Sequence, residues 1–260
     1  MMRVFRLGRF IYNKPAFLMG KTLVLADLHL GIQEEYRKRG VRLFSFTYKM
    51  VSEVQKLMHE TKANEIIILG DLKHEIGISE HLKKEVREFV SLLSDQYKML
   101  ILKGNHDGEL EAMLAGLNVE IVSSRGKILD FENTKVYMMH GNAWPSRDVE
   151  SADVVFTGHT HPGIEFPDFE KKVVKKCWIV GRLDKLTMKR NGYEMRKDPK
   201  VIVFPAFNDL SGCITKTSQF VGPIFENFAF IPEKIYLLDA FEIGKEIYEE
   251  SAKRGVITIG

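Results

Sequence analysis

The sequence predicts an α/β fold with two mixed sheets. Short apolar runs recur in the manner of buried strands, helical periodicity is concentrated in the first half, and most runs are closed by a small polar motif. The runs are Thr22 to Ala26, Glu65 to Leu69, Met99 to Leu102, Val136 to Met139, Val154 to Thr157 and Val201 to Phe204. They are β-branched or aliphatic and bounded by polar residues or glycine, which marks strands. Between the first two runs, Glu34 to Thr61 places Phe46, Met50, Val54 and Leu57 at helical spacing. Ser79 to Ser94 repeats the pattern with Leu82, Val86, Phe89, Val90 and Leu93. The second half offers mostly strands and turns, as a second mixed sheet requires.

A chain of 260 residues, 45% hydrophobic and 28% charged, can bury a full core, so one domain over residues 1–260 is expected. The polar segment 183–199, broken by Asn191-Gly192 and Asp198-Pro199, reads as a basic hairpin or mobile loop inserted into it. Glu242 to Lys253 has the spacing of a short amphipathic helix. No apolar run approaches the roughly 18 residues that span a bilayer, and the first ten residues lack a signal-peptide core. A cytoplasmic location without membrane contact is the expectation. Cys177 and Cys213 lie far apart and outside any Cys-x-x-Cys pattern, which argues against a disulfide framework or a thiolate zinc site.

The net charge of +3 says little, but its distribution says more. Residues 171–200 hold eleven Lys or Arg against Asp184, Glu194 and Asp198, a local +8 that leaves the rest of the chain at −5. Such a stretch either attracts a polyanion or serves solubility.

The chemistry is carried by the polar motifs at the run ends: Asp27-x-His29, Gly70-Asp71, Gly104-Asn105-His106-Asp107, His140-Gly141-Asn142 and Gly158-His159-x-His161. Five of the eight histidines fall in them, where one histidine after a strand would be an ordinary loop or core residue. In open α/β sheets the carboxyl ends of strands line the ligand crevice, so five such ends can converge. Imidazole, carboxylate and amide oxygen without thiolate suit Mn²⁺, Fe, Zn²⁺ or Ni²⁺. Seven donors exceed the needs of one ion; two ions about 3.5–4 Å apart would use them all, and their shared solvent would ionise to a hydroxide for in-line attack on a phosphoryl group.

These five motifs, in this order, resemble the calcineurin-like metallophosphoesterase superfamily. The resemblance implies a four-layer α/β/β/α sandwich. It implies one metal on Asp27, His29, Asp71 and His161, and a second on Asp71, Asn105, His140 and His159, with Mn²⁺ the leading candidate. His106 would then face the scissile phosphate as a catalytic residue, stabilising charge or protonating the leaving oxygen. Asp107 reads as the N-cap of a helix over Glu109 to Leu117, ahead of a role in orienting His106.

The second motif lacks the Asp and Arg of the phosphoprotein phosphatases and reads Gly70-Asp71-Leu72-Lys73-His74-Glu75. His74 at this position resembles the SbcD-type double-strand-break nucleases, in which the equivalent histidine contacts the DNA phosphate. Ala26-Asp27-Leu28-His29-Leu30-Gly31, Arg39-Gly40, Gly70 to His74, and Pro205-Ala206-Phe207-Asn208 with Ser211-Gly212 resemble the small phosphoesterases associated with DNA ligase or helicase. That resemblance implies a phosphodiester substrate in DNA and, on family grounds alone, a repair helicase or ligase as partner. Lys73 and the basic stretch would meet the nucleic-acid backbone, while Trp144 and Phe207 could stack a base or serve packing and are assigned neither role. Two other functions stay open: hydrolysis of a small phosphorylated metabolite or nucleotide, and a non-catalytic interaction module.

Overall fold

A strand apolar at consecutive positions must bury both faces, and the arrangement of the strands follows from that need. The computed structural model of the chain describes residues 3–5, 7–41, 46–77, 79–167, 172–216 and 219–243. The first sheet runs in chain order through β1 (Arg3–Phe5), β2 (Gly8–Phe10), β3 (Phe17–Met19), β4 (Thr22–Leu25), β5 (Glu65–Leu69), β6 (Lys98–Leu102) and β7 (Val119–Val122). Its last four strands are parallel, and its first three form an antiparallel edge.

The second sheet contains β8 (Lys127–Phe131), β9 (Thr134–Met139), β10 (Val154–Thr157), β12 (Lys172–Leu183), β13 (Lys200–Val203), β14 (Phe230–Leu237) and β15 (Glu242–Ile243). Their spatial order is β15-β14-β12-β13-β10-β9-β8, with β11 (Gly163–Pro167) paired to an extension of β12. Here β9, β10 and β13 are parallel, and the other pairings are antiparallel. Two mixed sheets are therefore present, as the sequence predicts.

Alternation along each strand divides the apolar residues into three buried layers. Val24, Ile67, Leu69, Leu100 and Leu102 of the first sheet meet Val136, Met138, Phe156, Trp178, Ile202 and Phe204 of the second between the sheets. The other face of the first sheet, with Leu23, Leu25, Ile66, Ile68, Met99 and Ile101, packs on two helices. These are α2 (Phe46–Thr61), which takes the second part of the helical segment expected over Glu34 to Thr61 while the separate α1 (Gln33–Lys38) takes the first, and α3 (Glu80–Ser94), at the expected place. Ser79 caps α3 by accepting from the Leu82 N–H at 3.1 Å. The outer face of the second sheet has a thinner cover. It consists of a 3₁₀ turn at Arg147–Ser151, α5 (Lys185–Arg190) and α6 (Pro223–Glu226), which contribute Val149, Met188, Ile224 and Phe225.

Two expectations are corrected. The segment 183–199 forms α5 and a turn instead of a hairpin: the Asp184 carboxylate accepts from the Thr187 N–H at 2.9 Å and nucleates a helix, and Asn191-Gly192 ends it. Nor is there a long helix behind Asp107. A single helical turn, α4 (Leu110–Met113), follows Glu109 in the left-handed region, with no side-chain cap. The helix expected over Glu242 to Lys253 begins on residues that form β15 and otherwise lies outside the described residues. Among the described residues no helix is long and apolar enough to cross a membrane.

The basic stretch is divided by β12. That strand is twelve residues long, so its ends are roughly 35 Å apart at about 3.3 Å per residue. Cys177, midway along it, lies beside Pro162 near the C-terminal ends of the parallel strands, the residues before it pair with β11, and Arg182 pairs in register with Lys200 at the start of β13. Five of its cations face acids: Lys176 with Asp209, Arg182 and Lys200 with Glu233, Lys185 with Asp198, and Lys197 with Asp153.

Candidate metal centre

Each expected donor sits just beyond the C-terminal end of a parallel strand, and backbone bonds lock those ends together across the two sheets. Asp27 N–H donates to Gly70 O at 3.2 Å and His29 N–H to Asp71 O at 2.9 Å, joining the turns after β4 and β5. Asp27 in turn accepts from His159 N–H at 3.1 Å, and Asp71 from His106 N–H at 3.0 Å. Beyond β13, Asn208 Nδ2 donates to Leu28 O at 2.7 Å, giving the Pro-Ala-Phe-Asn turn a supporting place under the first motif.

The local backbone is bent to bring these residues in. Asp27, His29, Asp71, His159 and His161 all have positive φ, between 44° and 73°. Such conformations cost of order 1–3 kcal/mol each in a non-glycine residue and gather at functional sites. Glycine is required where the turns cross. Gly104 passes so close that a Cβ there would lie 2.1 Å from Asp71 Oδ1, and Gly70, at φ +83°, would place one 2.4 Å from His140 Nδ1.

The donors form two adjoining groups, Asp27 with His29 and His161, and Asp71 with His140 and His159, the ligand atoms of each lying within 4.8 Å of one another. In the first, His29 Nε2 faces His161 Nε2 at 3.1 Å, and His161 Nε2 lies 3.2 Å from Asp27 Oδ1. In the second, His140 Nε2 lies 3.3 Å from Asp71 Oδ2 and 3.2 Å from Asn105 Oδ1. Asp71 Oδ2 also stands 3.7 Å from His29 Nε2, so one carboxylate oxygen faces both groups. His140 Nδ1 donates to Leu69 O at 2.8 Å, which fixes its ring and aims Nε2 inward.

Burial and charge set the protonation of the donors in the same way in each group. Burial drives His29 down to about 3 despite Asp27, and drives His159 down to about 4 with the help of His140's charge. His140 is raised to about 9: burial opposes its charge, but the Asp71 carboxylate overrides it. His161 is raised by Asp27 against the same penalty. Both carboxyls are lowered, burial being outweighed by His161 at Asp27 and by His140 at Asp71. The second group thus pairs a neutral His159 with an Asp71–His140 carboxylate–imidazolium pair, holding a proton where a cation would satisfy several donors at once, and in the first Asp27 pulls His161 in the same direction. A single proton on His161 Nε2 is divided between His29 Nε2 at 3.1 Å and Asp27 Oδ1 at 3.2 Å, whereas a divalent cation can bind all three atoms at once. The donor set fits N/O-ligated divalent metals.

His74 and His106 stand at the rim, with rings stacked 12° from parallel and centroids 5.8 Å apart. His106 Nδ1 donates to the His74 carbonyl, leaving Nε2 facing the site, 3.8 Å from Asp71 Oδ2. His74 Nε2 lies 3.0 Å from Glu35 Oε2, and its Nδ1 lies 3.4 Å from His29 Nδ1.

Three neighbours act otherwise than the sequence suggests. Lys73 does not reach solvent: it is fully buried, and its ammonium donates to the carbonyls of Glu75, Ile76 and His106. Asp107, also buried, accepts from the N–H groups of Leu72, Lys73 and Gly104. Burial pushes its carboxyl up against those bonds. Together they clasp the turn that carries His74 to the turn that carries His106. Glu35 is the residue that sequence reasoning missed; nothing local marks it, because its partner is 39 positions away.

Residues 21–180 match the family model for the calcineurin-like phosphoesterase superfamily domain. The chain belongs to the calcineurin-like phosphoesterase superfamily. As a member it is a metal-dependent phosphoesterase, a hydrolase, and the two His/Asp groups are where it can hold metal. Among solved structures, the nuclease MPE of Pseudomonas putida is similar at 18% identity and a TM-score of 0.53, over 88% of this chain and 91% of that one. A protein of unknown function from Aquifex aeolicus, AQ665, is similar at 16% identity and a TM-score of 0.39, over 57% and 81%. No curated protein sequence matches the chain.

Proposed function

We propose that this phosphoesterase uses two divalent ions to hydrolyse phosphodiester bonds in DNA. The observation that carries the dinuclear reading is Asp71, whose Oδ2 faces His29 of one donor group and His140 of the other. Asp27, His29, Asp71 and His161 would hold one ion, and Asp71, Asn105, His140 and His159 the other. Mn²⁺ is the first choice for these donors, with Fe, Zn²⁺ and Ni²⁺ compatible. When bound, the ions supply Lewis-acid stabilisation of the phosphoryl oxygens and lower the pKa of the attacking water.

The chain's own residues do the rest. His106 presents Nε2 to the site while Nδ1 is engaged with the His74 carbonyl, so Nε2 is the atom that delivers a proton to the leaving oxygen. His74, steadied by Glu35, contacts a non-bridging oxygen. The Lys73–Asp107 clasp keeps the two rings in register. DNA as the substrate is supported by His74 in the second motif, by the resemblance to ligase- and helicase-associated phosphoesterases, and by the described activity of the Pseudomonas putida neighbour, a nuclease.

The test is hydrolysis of labelled single- and double-stranded DNA and of bis-p-nitrophenyl phosphate with Mn²⁺, by wild type and by Asp71→Ala. DNA cleavage by wild type, lost in Asp71→Ala and with chelator, is expected. Cleavage of the small diester alone would contradict the DNA reading.

A further inference from the structure

Beside His74 the surface opens into a cleft of about 200 Å³ lined by Glu35, Tyr36, Arg39, His74, Leu210 and Gly212. It adjoins the first donor group directly, since His161 Nδ1 lies 3.2 Å from the Gly212 carbonyl on its far wall. Tyr36 Oη donates to Leu210 O at 2.9 Å and ties α1 to that wall. The cleft is smaller than the roughly 300 Å³ at the low end of small-molecule pockets. It suits one group of a longer substrate better than a whole metabolite.

Its charge is unusual for its size. Glu35 spends both oxygens on cationic or donor groups, Oε2 on His74 Nε2 and Oε1 on the Arg39 guanidinium. Those partners, His74 first and Arg39 next, hold its carboxyl below the usual range, so it stays ionised as their tether. The Arg39 side chain is 71% exposed, with donors to spare beyond the one Glu35 uses. Arg37 and Lys38 are already directed to Glu34 and Glu75. Arg39, the C-cap of α1, is the arginine or lysine that lines the cleft, and Glu35 sets its distance from His74.

Resting on the nuclease reading, we infer that this cleft is a subsite for the phosphate next to the scissile one on a nucleic-acid strand, with Arg39 as its ligand. A guanidinium binds a backbone phosphate bidentately and without regard to sequence. A substrate with a single phosphate gains nothing from it, so the subsite favours polymers over small diesters.

The experiment compares kcat/KM for an oligonucleotide with that for bis-p-nitrophenyl phosphate, both with Mn²⁺, in wild type, Arg39→Ala and Arg39→Lys. The ratio of the two is expected to fall about tenfold in Arg39→Ala, through KM for the oligonucleotide, and to recover only in part in Arg39→Lys, which keeps the charge and loses the bidentate fork. The salt dependence of oligonucleotide KM should lose about 0.7 in log–log slope, one phosphate contact on a single strand. An unchanged ratio, whether both substrates suffer equally or neither does, overturns the subsite and reduces Arg39 to a support for Glu35. If wild type cleaves the small diester and no DNA, the nuclease reading itself falls and the subsite with it.

Discussion

The two ends of the second sheet make an instructive contrast. At the C-terminal ends of β9, β10 and β13 the chain gathers buried, strained, mutually bonded residues whose ring nitrogens and carboxylates face one another. At the opposite end, Lys185, Lys197 and Lys200 face Asp198, Asp153 and Glu233 on the surface, as ordinary exposed ion pairs worth little. In sequence, residues 171–200 look like one basic region; in space a twelve-residue strand separates them. Charge that is contiguous along the chain is not contiguous on the surface, and the function resides at one end.

The largest effect that can sharpen this contrast is at Asp71. Asp71→Ala removes a donor from both groups, and kcat on any phosphodiester should fall by more than about 10³-fold, beyond the 10²–10³ typical of losing one stabilising donor. A loss of under tenfold in steady-state assays would mean that the two groups do not act together. Next is His106: His106→Asn should cost about 10²–10⁴ in kcat if Nε2 delivers the proton. A substrate with a leaving group acidic enough to need no proton should recover much of that loss, and equal losses on good and poor leaving groups would remove His106 from the proton transfer.

Gly104→Ala places a Cβ 2.1 Å from Asp71 Oδ1. It should cost about 1–3 kcal/mol in denaturant unfolding and weaken metal binding, whereas an alanine at Gly108, which meets nothing within 4 Å, should leave activity unchanged. Equal behaviour of the two variants would show that the crossing of the turns is not tight.

Metal binding should be linked to protons. His140, raised to about 9, holds a proton at pH 7 that a cation must displace, and His161 is shifted in the same direction. The protonated forms compete with metal, so affinity should weaken as the pH falls below about 9, and binding at pH 7 should release protons. Calorimetry in two buffers of different ionisation heat reads this directly; binding without proton release would contradict the raised pKa of His140. The smallest effect is expected at the far end of the sheet. Reversing Lys189 and Arg190 to Glu should change DNA cleavage by less than about twofold, because they follow Leu183, roughly 20 Å along β12 from the site-side Cys177 and more than twice the ~8 Å screening length at physiological salt.

Much of this arrangement was legible beforehand, for identifiable reasons. Runs such as Ile66 to Leu69 are apolar on both faces because each sheet is covered on both sides, and continuous aliphatic stretches announce that. The donors were legible because strand ends in parallel sheets converge by topology, whatever the loops do. What escaped depended on contacts that no local pattern encodes. Lys73 reads as a surface cation, yet three carbonyls supplied by two turns bury it. Asp107 has the local signature of a helix cap, but N–H groups from the turn after β5 and from Gly104 claim its carboxylate first. Glu35 sits on a short helix with nothing to mark it until the fold brings His74 alongside.

The central claim, two cations sharing Asp71 at one end of the paired sheets, is tested most directly by counting metal per folded chain with native mass spectrometry after Mn²⁺ loading. Wild type should carry two ions, His140→Ala one, and Asp71→Ala fewer than wild type, with all three chains folded. One ion in wild type, or two retained in His140→Ala, would contradict the account.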